Sequence, residues 1–103
     1  MARLLAFVSI FVESPLMDYV VRELVKIPNM EEVYEVTGEY DVICLVSAND
    51  IQEFRDLIVN KIMKTKGVKS TVTDVVLYSH GGSRRDQGSN SPTEISRQQP
   101  AHV

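Results

Sequence analysis

The stretch Leu4-Leu5-Ala6-Phe7-Val8-Ser9-Ile10-Phe11-Val12 decides how the rest of the chain is read. Apolar side chains occupy both alternating sets: Leu4, Ala6, Val8, Ile10 and Val12 in one, Leu5, Phe7 and Phe11 in the other. Successive side chains of a strand point to opposite faces, so this segment is a central strand with apolar material on both sides. Whatever fold surrounds it has to supply two covers.

Working outward, Ser14-Pro15 pairs a hydroxyl N-cap with proline at the first helical position. Met17, Val20, Val21, Leu24 and Ile27 then recur at three- and four-residue steps, which predicts an amphipathic helix stopped by Pro28-Asn29. Met30 to Thr37 alternates Val33, Glu35 and Thr37 against Tyr34 and Val36, a strand less buried than the first. Thr37-Gly38-Glu39 turns the chain back into Tyr40 to Ser47, and glycine admits the positive φ of a tight hairpin reversal. Asn49-Asp50 caps a second helix, with Glu53 at capping-box spacing and Ile51, Phe54, Leu57, Ile58 and Ile62 as its buried stripe. Gly67 stands as the C-terminal glycine of that helix, and Val68 to Tyr78 is a β-branched last strand. Met17, Met30 and Met63 are assigned to packing.

The order βαββαβ is the ferredoxin-like arrangement of the α+β class, an antiparallel four-stranded sheet with both helices on one face. The first and third strands, being the most apolar, belong in the centre, whereas Glu32, Glu35, Lys69 and Asp74 mark the second and fourth as edges. Two helices cover one sheet face only. A second copy is therefore expected over the other, giving a barrel-like α/β dimer, and dimerisation also supports a core of only about 79 residues.

The 103 residues, 44% hydrophobic and 24% charged, have the profile of one globular domain. From His80 to Pro92 there is no apolar side chain and Ile95 stands almost alone after it, so residues 1–79 form the domain and 80–103 a flexible polar tail. The net charge is −3, and Lys61, Lys64, Lys66 and Lys69 are offset by acids throughout the body. Those lysines suit the negative end of the second helix and do not amount to a nucleic-acid surface. No apolar run reaches the roughly 20 residues of a membrane helix and the front carries no leader signature, so a cytoplasmic location without membrane contact is expected. One cysteine, Cys44, and two histidines, His80 and His102, provide neither an internal disulfide nor a multi-cysteine metal site, so no metal or cofactor is expected. Cys44 reads as a small buried hydrophobe and His80 as an exposed bystander.

Val33-Tyr34-Glu35-Val36-Thr37-Gly38-Glu39-Tyr40-Asp41-Val42, with Val68-Lys69-Ser70-Thr71-Val72-Thr73, resembles the RAM domain, the C-terminal regulatory domain of the Lrp/AsnC (feast/famine) transcription regulators. The resemblance runs over about residues 3–78. Those regulators carry a helix-turn-helix ahead of this domain. Here the first strand starts at residue 2 or 3, which leaves no room for DNA-reading helices. The resemblance is thus to the stand-alone RAM protein. It implies a homodimer that assembles further, into rings of four dimers (an octamer), with a free amino acid held between dimers and no direct nucleic-acid contact. Full-length Lrp/AsnC regulators are its implied macromolecular partners.

A free amino acid presents an ammonium and a carboxylate at fixed separation, so its site needs a negative acceptor and a separate set of donors. On this resemblance Asp41 accepts from the ammonium and Tyr40 walls the side-chain pocket. In the candidate loop of Thr37, Gly38, Glu39, Tyr40 and Asp41, backbone N–H groups around Gly38 to Tyr40 hold the carboxylate together with the hydroxyls of Thr71 and Thr73. Taken residue by residue, Gly38 is a turn residue, Asp41 a solvated strand-end carboxylate, and Thr71 and Thr73 strand residues sharing a face. The expected function is non-enzymatic effector binding and oligomerisation that tunes Lrp/AsnC-type regulation. The competing class is a small dimeric ferredoxin-like oxygenase or isomerase needing no cofactor, which places His, Tyr or Asn in a cleft between sheet and helices; the predicted interior holds no histidine. An RNA-binding reading lacks the Arg/Lys-Gly-Phe-Gly signature near Phe7 and Phe11.

Overall fold

A computed structural model of the chain describes residues 3–83. The elements follow as β1 (Leu4–Val12), α1 (Met17–Leu24), β2 (Met30–Glu35), β3 (Val42–Ala48), α2 (Ile51–Leu57, prolonged by a π-helical segment Ile58–Ile62) and β4 (Val68–Val75). The strands form one antiparallel sheet in the order β2-β3-β1-β4, the ferredoxin-like topology with β1 and β3 central. Ile10 faces Val42 and Thr71, and Val8 faces Cys44 and Thr73. The tail expected at 80–103 lies outside the described residues from 84 onward. Among the described residues, no helix is long and apolar enough to cross a membrane.

One face of this sheet is closed. Ala6, Val8 and Ile10 of β1 and Val42, Cys44 and Val46 of β3 are fully buried against Val20 and Leu24 of α1 and Phe54, Leu57 and Ile62 of α2. Among the described residues, no helix lies over the other alternating set. On that bare face Phe7 is 43% exposed, Val72 42% and Tyr34 50%, with Leu5, Phe11, Ile43 and Leu45 half-buried among them.

Several local features differ from the sequence expectation. Ser14 makes no capping hydrogen bond: Glu13 precedes a 3₁₀ turn, Ser14–Leu16, and α1 begins only at Met17. Proline at the second position of that turn is tolerated because the first N–H groups of a helix lack intrahelical partners anyway. Asp50 does cap α2, accepting from the Glu53 N–H at 2.8 Å, while Glu53 reaches back to the Asn49 N–H. Ile51 and Met63, assigned above to the interior, are 61% and 49% exposed. Gly67 stands beyond the helix end, in the turn before β4, with φ +101° and its carbonyl accepting from Glu13 N.

The end of α2 has a physical reason. In a regular helix the eight residue steps from Phe54 to Ile62 overshoot two turns by about 80° and would swing Ile62 away from the sheet. The Met63 N–H instead bonds the Ile58 carbonyl five residues back, at 2.8 Å, and the wide turn returns Ile62 to full burial.

Candidate functional site

The hairpin between β2 and β3 gathers the first five candidate residues. Its ladder ends at the Glu35 and Val42 pair, and the Val36 N–H closes the loop onto the Asp41 carbonyl at 3.0 Å. Gly38 has φ +116° with open space around it, so backbone conformation and not crowding requires glycine there.

Asp41 ties the loop to β1. Its N–H donates to the Ile10 carbonyl at 3.0 Å, and its Oδ2 accepts the Val12 N–H at 2.8 Å. A continued β1–β3 ladder would draw that acceptor from the loop backbone opposite Val12. The carboxylate takes its place, and among the described residues the N–H groups of Thr37, Gly38, Glu39 and Tyr40 donate to no protein acceptor. Unpaired N–H groups in a turn are donors that an anion can use. Asp41 Oδ1 has no protein donor among the described residues and remains open to a cation. The Tyr40 ring lies 4.8 Å from that of Phe11, tilted by 49°, at the rim of the bare face. Thr37, Gly38 and Glu39 are exposed, and Tyr40 and Asp41 half-buried.

Thr71 and Thr73 do not join this group within one chain. They pair with Ile10 and Val8 on β4, so β1 separates them from the hairpin, and their register puts them on the helix-covered side. Two surface depressions, about 280 Å3 beside Val25, Met30 and Val33 and about 290 Å3 beside Leu5, Val76 and Tyr78, lie away from the hairpin loop. Among the described residues, no three His, Cys, Asp or Glu side chains gather as metal ligands. Cys44 is fully buried and desolvation pushes its thiol up to about 12.

A second polar cluster at the opposite end of the sheet was not anticipated. Ser47, 2% exposed, donates through its hydroxyl to Glu31 Oε2 at 2.7 Å. Asn29, at φ +75°, donates from Nδ2 to the Ser47 carbonyl at 2.9 Å and accepts from its N–H. Pro28-Asn29 signals the turn, but the bulge that brings Glu31 to Ser47 depends on the β2–β3 register.

The Lrp/AsnC ligand binding domain matches residues 5–85. An uncharacterized HTH-type transcriptional regulator from Pyrococcus horikoshii is 34% identical over 73 residues, covering 71% of this chain and 46% of the regulator. Homocitrate synthase from Sulfurisphaera tokodaii is 41% identical over 73 residues, covering 70% of this chain and 16% of that enzyme. The chain thus spans about half or less of the curated relatives it matches. Among solved structures, a feast or famine regulatory protein from M. tuberculosis complexed with L-methionine is similar, with a TM-score of 0.67 at 29% identity, over 79% of this chain and 54% of that one.

Proposed function

The chain belongs to the Lrp/AsnC ligand-binding domain family, and on that premise we propose that it is a non-enzymatic module that binds a free amino acid and assembles with copies of itself. The observation that carries this reading is the hairpin in which the Asp41 side chain accepts the Val12 N–H while, among the described residues, the N–H groups of Thr37 to Tyr40 donate to no protein acceptor. Those N–H groups receive the ligand carboxylate, and Asp41 Oδ1 receives its ammonium. Tyr40 and Phe11 offer an aromatic wall to the ligand side chain. Thr71 and Thr73 reach the ligand from a neighbouring copy, because β1 keeps them from the hairpin of their own chain. The methionine complex of the M. tuberculosis protein supports an amino-acid ligand. One domain recurring in a regulator and in an enzyme supports a sensing role over a catalytic one.

A second copy covers the bare face, sheet against sheet, with Phe7 near its centre. Ligand binding then acts by favouring one assembly state, and co-assembly with a full-length Lrp/AsnC regulator in the cytoplasm carries that state to transcription. A thermal-shift screen over the common amino acids identifies the ligand, and calorimetry measures it. Asp41→Ala is expected to weaken binding about 10- to 100-fold, the worth of one charge-assisted hydrogen bond. No melting shift with any amino acid, or unchanged affinity in a folded Asp41→Ala protein, overturns the ligand assignment.

A further inference from the structure

We propose that the bare face selects its partner by charge: Glu32 and Asp74, at the two ends of its central row, oppose pairing with a second copy and favour a like-folded sheet that carries cations at those two places. This deepens the preceding reading and rests on its sheet-to-sheet contact.

Strand register lays the face out in rows. Phe7 pairs with Leu45 on one side and Asp74 on the other, and Leu45 pairs with Glu32. The row through Phe7 therefore reads Asp74, Phe7, Leu45, Glu32, two apolar residues between two exposed carboxylates. Among the described residues neither acid has an ion-pair or hydrogen-bond partner. Towards the hairpin the next row is Val72, Ser9, Ile43 and Tyr34, without a charge. Away from it stand Leu5, Ser47 and Glu31, whose Oε2 accepts the Ser47 hydroxyl, so the acidic border is prolonged there. Arg3 lies four residues from Phe7, and Lys69, Tyr78 and His80 lie four or more from Asp74, so each is at least about 13 Å along the strands from the row.

Symmetry turns this layout against self-pairing. Facing sheets of two copies are related by a two-fold axis lying between them. An axis along the strands sets Glu32 of each copy over Asp74 of the other, and an axis along the row sets each acid over its own counterpart. Either way, four carboxylates meet only carboxylates. Aligned sheets cross at about 30°, which shifts the ends of a four-strand row by about 4 Å, less than the roughly 7 Å between rows. The acids therefore remain opposite one another. Lysine or arginine at the two positions of a partner makes all four contacts favourable. The alternative is that these acids serve only to guard the sheet edges.

Sedimentation of the full chain is run at about 0.02 M and about 0.5 M salt, where Debye lengths differ several-fold. The wild-type homodimer is expected to tighten at high salt, because screening relieves repulsion. Glu32→Gln/Asp74→Asn is expected to tighten it about tenfold at low salt, the sum of four exposed like-charge contacts. Asp18→Asn/Asp56→Asn, which removes the same charge from exposed positions on α1 and α2, is expected to leave it near wild type. A Glu32→Lys/Asp74→Lys protein, folded by circular dichroism, is the probe for the partner. After exchange at low salt its equimolar mixture with wild type is expected to hold about nine-tenths heterodimer, against about half for random exchange, read as the middle band in native electrophoresis. A wild-type dimer indifferent to salt and to neutralisation, or bands in random proportion, overturns the proposal and leaves the sheet-to-sheet contact standing. Monomer in every sample overturns both.

Discussion

The two faces of this sheet are built from the same strands and differ by one residue of register. Val8, Ile10, Cys44 and Val46 are fully buried beneath the helices, while Phe7 and Val72, their neighbours in sequence or register, are 43% and 42% exposed. Polarity does not account for the difference, because both sets are apolar. It lies in what the described residues place over them: α1 and α2 reach one side only. An apolar surface left over by a small domain is the kind of patch that marks an interaction site.

The sharpest challenge to this contrast is a pair of truncations. Ile10→Ala, on the closed face, is expected to lose about 2 to 5 kcal/mol of stability in denaturant unfolding of dilute protein, the range for emptying a packed aliphatic site. Phe7→Ser, one face over, is expected to leave dilute stability nearly unchanged while weakening self-association by 2 kcal/mol or more, roughly 30-fold, in sedimentation. Equal losses of monomer stability at the two positions would erase the distinction.

Gly67→Ala probes the closed side again. An added Cβ would stand 2.7 Å from Val20 Cγ2 and 2.9 Å from Leu16 Cβ, at φ +101°. A cost of about 2 to 3 kcal/mol in thermal unfolding is expected, from strain and crowding together. Gly38→Ala, at φ +116° but in open space, should cost only about 1 kcal/mol. Parity between the two glycines would mean that backbone strain alone sets both values.

Cys44 provides a pH test of the same enclosure. Burial raises its thiol from 9.0 to about 12, so the folded chain keeps a proton that the unfolded chain releases above pH 9. The stability tied to that proton is intact below pH 9 and declines between pH 9 and 12, by up to about 1.4 kcal/mol per pH unit. Subtracting the profile of Cys44→Ala isolates this share from the lysines and tyrosines that titrate nearby. A difference profile flat through that window would show that water reaches the thiol.

Element order, central strands and the apolar surplus of β1 were legible because they follow from side-chain alternation, a local property. The hairpin was legible too, since glycine with flanking strands specifies a reversal. What Asp41 does there was not. Its bond to Val12 joins residues far apart in sequence, and only the β1–β3 register brings them together. The same holds for Glu31 and Ser47. Thr71 and Thr73 were rightly placed on one face of one strand, but which face, and how far from the hairpin, depends on how β4 docks. Ser14 misled because proline and a hydroxyl residue suit a 3₁₀ turn as well as an α-helical start.

The wide turn at Ile58–Ile62 bears on how such chains change length. A helix that has already absorbed one surplus residue without turning its greasy stripe away has spent its slack at that spot. Removing a residue between Leu57 and Ile62 would let the coil tighten to its ordinary pitch, whereas inserting another would twist everything downstream out of line. Shortening is therefore the gentler edit here, a lopsided tolerance that hydropathy alone does not disclose.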